Sequence, residues 1–186
     1  MPVINLKDLE SKNPKIKYGC TKKAIALSEK NPEALYPLWD DFVKLLDSEN
    51  RILKWSAILV IGNLSQADKK NKISKLLPRL LHFLREKEMI TAANSIKALG
   101  QIARHQPKFK DKIFQEFLKV EKAKYYNKGK LSPECRNIAL GKIMDVLNDF
   151  PDELKNRKEL VGLIKRQTKN TRPAVKKRAE LLLSGI

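Results

Sequence analysis

One stretch of this chain, Arg51–Gln66 (RILKWSAILVIGNLSQ), recurs in outline about every forty residues. The outline is a cation, a small residue three places on, and five places further a position often held by Gly. Lys54, Ala57 and Gly62 fill these slots. The same frame fits Lys17, Cys20 and Ile25, then Ala92, Ser95 and Gly100, then Arg136, Ala139 and Met144, then Lys176, Ala179 and Ser184. Successive first slots lie 37, 38, 44 and 40 residues apart. A two-helix unit of this length cannot bury its own apolar stripe. It must stack on its neighbours, so a period of this size predicts a helical solenoid.

The segments between these slots read as partner helices. In residues 34–47, Leu35, Leu38, Trp39 and Phe42 recur at the spacing of one helical face. Pro37 lies inside the run and is expected to bend its first turn. Residues 73–85 repeat the pattern, with Pro78 forty-one residues after Pro37. Residues 109–124 carry Phe109, Ile113, Phe114 and Phe117 but no proline. A long polar turn, YYNKGKLSP (125–133), is expected before the second helix of that pair. Asn31-Pro32-Glu33 and Pro151-Asp152-Glu153 are helix starts, with Pro at a first-turn position that needs no N–H.

These helices resemble HEAT repeats. PEALYPLWDDFVKLLD and ISKLLPRLLHFLR look like the proline-bent A helix. ILKWSAILVIGNL, ITAANSIKALGQIA, CRNIALGKIMDVL and AVKKRAELLLS look like the B helix. The resemblance implies an all-α, right-handed α-α superhelix of about four HEAT-like helix pairs plus an N-terminal helix. Residues 1–14 are expected to form a strap or cap. Residues 15–186 then form one solenoid domain, with pairs near 33–65, 71–106, 109–150 and 152–184. Ala92 departs from the basic slot, and Met144 and Ser184 from the glycine slot.

Function has to be read from charge, because motifs for chemistry are scarce. The two histidines, His82 and His105, and the two cysteines, Cys20 and Cys135, are too few and too scattered for a zinc site. No phosphate-loop, dinucleotide-binding or nucleophile-elbow pattern occurs, so neither catalysis nor a cofactor is expected. The absence of long apolar runs and of a secretory pattern, with reduced thiols, points to a cytoplasmic protein without a membrane span. Against this stands a formal net charge of +18, from 39 basic and 21 acidic side chains. Such a surplus favours an acidic protein or a nucleic-acid phosphate backbone as partner.

The surplus is concentrated. Residues 51–110 hold 13 basic and 3 acidic side chains, and residues 151–186 hold 10 and 4. Lys69, Lys70, Lys72 and Lys75 crowd one inter-repeat turn. Lys165, Arg166, Lys169, Arg172, Lys176 and Lys177 crowd the last turn and its flanks. Tyr125, Tyr126, Lys128 and Lys130 set two aromatics beside two cations, a combination that stacks on bases or grips a peptide. A plain surface loop with one tyrosine tucked inward explains the same residues. By the resemblance, Lys54, Arg136 and Lys176 form a basic ladder on the B-helix face, unless a turn carboxylate such as Asp47 or Glu49 neutralises Lys54. Two other readings stay open. One is an assembly scaffold with an apolar groove, its lysines serving solubility. The other follows HEAT-like alkylated-DNA glycosylases, with Trp39, Trp55 and Asp40 or Asp41 as the comparable residues.

Overall fold

The computed structural model describes residues 4–186, so residues 1–3 of the expected strap lie outside it. The chain builds α1 (Pro14–Lys30), α2 (Pro32–Leu35), α3 (Trp39–Leu45), α4 (Arg51–Leu64), α5 (Lys72–His82) and α6 (Met89–His105). It continues with α7 (Lys110–Lys119), a hairpin of β1 (Tyr126–Asn127) and β2 (Lys130–Leu131), α8 (Pro133–Leu147), α9 (Pro151–Asn156), α10 (Lys158–Gln167) and α11 (Pro173–Ser184). Pro opens α1, α2, α8, α9 and α11 at a position whose N–H has no intrahelical partner. Side chains of Asn13, Asn31, Asn50 and Ser132 accept from the free amides that follow them.

Two layers result. The second helices stack side by side in chain order, α1 on α4, α4 on α6, α6 on α8 and α8 on α11. The first helices cover them, with α3 on α4, α5 on α6 and α10 on α11, while α7 packs on α6 and touches α10. The core between the layers is mainly apolar: Ile58, Ile61, Ile96, Leu99, Phe117 and Ile143 are all excluded from solvent. The architecture is an all-α solenoid. Leu9 in a 3-10 turn (Leu6–Glu10) packs down on α1, and α1 itself buries Cys20 and Ala24 against α4.

Four local features differ from the expected pattern. Pro37 does more than bend its segment: a 3-10 turn (Tyr36–Leu38) separates α2 from α3. Pro78 leaves α5 continuous. The fourth first helix is broken at Arg157, whose extended backbone divides α9 from α10. Residues 125–133, the expected long polar turn, hold an antiparallel hairpin, with Tyr126 opposite Leu131 and Asn127 opposite Lys130.

Candidate partner-binding surface

Most carboxylates in this chain are committed to cations on neighbouring helices. Asp40 on α3 holds Lys72 on α5 at 3.0 Å, and Asp47 holds Arg79 at 2.5 Å. Further along, Glu116 pairs with Arg85, Glu153 with Lys110, and Glu121 with Arg166. Lys110 and Arg157 hold the Glu153 carboxyl below the usual carboxylate range, although burial pushes it the other way. These pairs tie each helix pair to the next. Their partners lie 31 to 45 residues apart in sequence, close to one repeat.

This pairing sorts the sequence candidates. Lys54 is half-buried, bonded to both oxygens of Glu86 at 2.9 and 3.0 Å, with its ammonium 4.6 Å from the Phe83 ring centre. It is neutralised, but by the following turn instead of by Asp47 or Glu49. Lys72, Arg166 and Arg172 are likewise paired, with Asp40, Glu121 and Glu134. Lys176 lies 3.9 Å from Glu180 on its own helix. The expected ladder of Lys54, Arg136 and Lys176 is therefore not a row of free charges, since Arg136 alone of the three lacks a carboxylate partner among the described residues. Lys69, Lys70, Lys75, Lys128, Lys130, Lys165, Lys169 and Lys177 are exposed, and none forms an ion pair among the described residues.

Tyr125 is corrected. It is fully buried, and its hydroxyl donates to the Leu84 carbonyl at 2.6 Å. Burial raises its pKa. It anchors the hairpin and cannot reach a partner. Tyr126, next in sequence, is 37% exposed. Trp39 is also buried and Asp40 is ion-paired, so they form no open aromatic cradle with a free carboxylate.

Two clefts mark the outer side of the second-helix layer. One, of about 460 Å³, lies across α4, α6 and α8 between Leu59, Lys97, Gln101 and Asp145. Its charges are internally matched: Lys97 with Glu29, Lys142 and Arg178 with Asp145, Arg104 with Asp149. The other, of about 530 Å³, lies between the hairpin and the first turns of α4 and α6. Trp55, Met89, Ile90 and Tyr126 give it apolar surface, and Lys87 and Lys128 stand at it. Ile90 and Lys87 escaped the sequence reading. The available signal was the spacing of Ile52 and Ile90, 38 residues apart at matching positions and both exposed.

No protein-family model matches the chain, and no curated protein matches its sequence. Solved structures do. A designed armadillo repeat protein in complex with a (KR)4 peptide matches 97% of this chain over 79% of its own length, at a TM-score of 0.55 and 17% identity. Computationally designed armadillo repeat proteins for modular peptide recognition match 97% of this chain over 80% of theirs, at 0.50 and 17%. An engineered protein matches 97% over 76%, at 0.54 and 15%. The fold is thus that of an armadillo- or HEAT-like repeat solenoid. Among the described residues, no helix is long and apolar enough to cross a membrane.

Proposed function

We propose that the chain is a non-enzymatic binding module for an acidic polypeptide, held by its uncompensated lysines. The observation that carries this reading is the internal use of its carboxylates. They neutralise cations between adjacent helix pairs and leave Lys69, Lys70, Lys75, Lys165, Lys169 and Lys177 as free positive surface. Repeat solenoids of this shape are used for peptides in the designed neighbours. One of those was solved with a basic peptide, and the surplus here calls for the opposite sign.

The kind of cation favours a polypeptide over nucleic acid. Among the described residues every Arg except Arg136 forms an ion pair. The guanidinium forks that match phosphate geometry are thus occupied, and what remains outward is ammonium, a point charge without that geometry.

The test is fluorescence anisotropy at low salt with a labelled Asp/Glu peptide and with single- and double-stranded DNA of equal charge. The peptide is expected to bind and to weaken steeply with added salt. Reversing Lys165, Lys169 and Lys177 to Glu should weaken it at least tenfold. Tighter binding of DNA makes a phosphate backbone the partner. Absence of binding to all three probes at tens of micromolar overturns the reading.

A further inference from the structure

We propose that the cleft between the hairpin and the first turns of α4 and α6 receives an aliphatic or aromatic side chain of an acidic peptide. The proposal rests on the acidic-partner reading above and adds the point of recognition.

The cleft exists because of an insertion. The third pair steps by 44 residues where the two preceding steps are 37 and 38, and the additional length forms the hairpin. Its two-residue turn places Lys128 and Gly129 at φ 49° and 77°, the left-handed pair that matches strand twist. The hairpin is fixed at its base. Tyr125 is bonded to Leu84 inside the core, the Tyr126 amide donates to the Lys87 carbonyl at 2.9 Å, and the Ser132 amide donates to the Tyr125 carbonyl at 2.9 Å. It therefore stands as a wall beside α6.

What that wall faces is apolar surface with no occupant in the fold. Ile90 is 44% exposed and Tyr126 37%. Leu131, 57% exposed, is the cross-strand partner of Tyr126, so both side chains lie on one face of the hairpin. On α4, Trp55 contributes its ring while its N–H is satisfied by Thr91 at 3.0 Å. A recess of about 530 Å³ suits one or two inserted side chains better than a flat bilayer surface.

Charge selects what flanks that side chain. The carboxylate lining the cleft, Glu88, is held by Arg51 at 2.7 Å. Lys87 and Lys128 beside it, and Lys130 on the neighbouring strand, have no carboxylate partner among the described residues. The field at the mouth is positive, so acidic residues on either side of the apolar anchor are complementary to it.

The experiment compares two fluorescein-labelled Asp/Glu peptides on the full chain, one with a central Trp-Leu pair and one with Ser-Ser there. The Trp-Leu peptide is expected to bind about tenfold tighter or more. Ile90→Ser and Tyr126→Ser should abolish that preference while both peptides keep their residual, salt-sensitive binding. Lys128→Glu should weaken both peptides alike. The substituted side chains are exposed, and unchanged thermal melting by circular dichroism confirms that each variant folds. Equal affinity of the two peptides for the wild type, or a preference that survives in both Ser variants, overturns the cleft and leaves the acidic-partner reading standing. Failure of both peptides to bind removes both readings. Binding to phosphatidylserine vesicles that depends on Ile90 and Tyr126, without peptide discrimination, reassigns the surface to a membrane and likewise overturns the proposal.

Discussion

Asp68 shows how much a single side chain in a turn organises this fold. It accepts from the Tyr36 hydroxyl at 2.5 Å and from the amides of Lys72 and Ile73 at 2.9 and 2.8 Å. The adjacent cap position, Asn71, is left-handed and offers no side-chain bond, so Asp68 alone caps α5 while tethering it to the preceding pair. Nothing in the polar run Gln66–Asn71 announces this, because the tyrosine that completes the site is 32 residues away. Burial, and then the bond to Asp68, push the Tyr36 hydroxyl up to about 12. Its folded pKa lies above the unfolded value near 10, so the protonated phenol is favoured by folding. That contribution is complete below pH ~10 and is lost as pH rises towards 12. Tyr36→Phe should cost about 1–2 kcal/mol at pH 8, and the gap to wild type should narrow between pH 10 and 12. Urea unfolding of both proteins at stepped pH checks this, since lysine titration is common to the two. A gap that stays constant across the window would show that the hydroxyl titrates normally.

At the scale of helices, the repeat was legible because each second helix must present small groups to the next. Built onto the backbone, a Cβ on Gly62 falls 2.6 Å from the Ala98 Cα, and one on Gly100 falls 2.8 Å from a Val146 methyl. Helix α8 breaks the frame: the close approach is at Gly141, against Val175, one turn before the Met144 that the slot spacing designates. The spacing of slots does not encode where neighbouring helices come closest. The hairpin was illegible for a different reason. Its turn needs a positive φ at Lys128, a residue type that gives no sign of one. Gly62→Ala should therefore destabilise by about 3 kcal/mol, since backbone stands in the way. Gly19→Ala, in mid-α1 with nothing within 4 Å of the added carbon, should stabilise by about 0.5–1 kcal/mol. Thermal denaturation of the two variants should give shifts of opposite sign. A neutral Gly62→Ala would mean that α4 and α6 are further apart than described.

For the whole molecule, the clusters of cations were visible in the sequence but the identity of the free ones was not. Many ion-pair partners sit about one repeat away, so Lys54 meets Glu86 in the next turn and Arg166 meets Glu121 in the previous pair. The same nearest-neighbour plan governs stability. In a stack each unit gains free energy only from the units it touches, so protection should be graded along the chain. α6 is covered by α4 on one side and α8 on the other, and Ala92, Ile96, Leu99 and Ile102 are fully buried on it. Among the described residues α11 packs chiefly on α8 and α10, with Leu181 63% exposed. Hydrogen exchange followed by mass spectrometry should find the slowest amides in α4 and α6, and faster exchange in α1 and α11. Ion pairs such as Arg178–Asp145 and Lys97–Glu29 link those flanking helices to the centre. Because both pairs are partly exposed, salt screens them, and the apolar core of α4 and α6 is indifferent to it. Raising ionic strength should therefore steepen the gradient by releasing α1 and α11 first. Uniform protection that rises and falls as one unit would show instead that the stack unfolds as a single cooperative body.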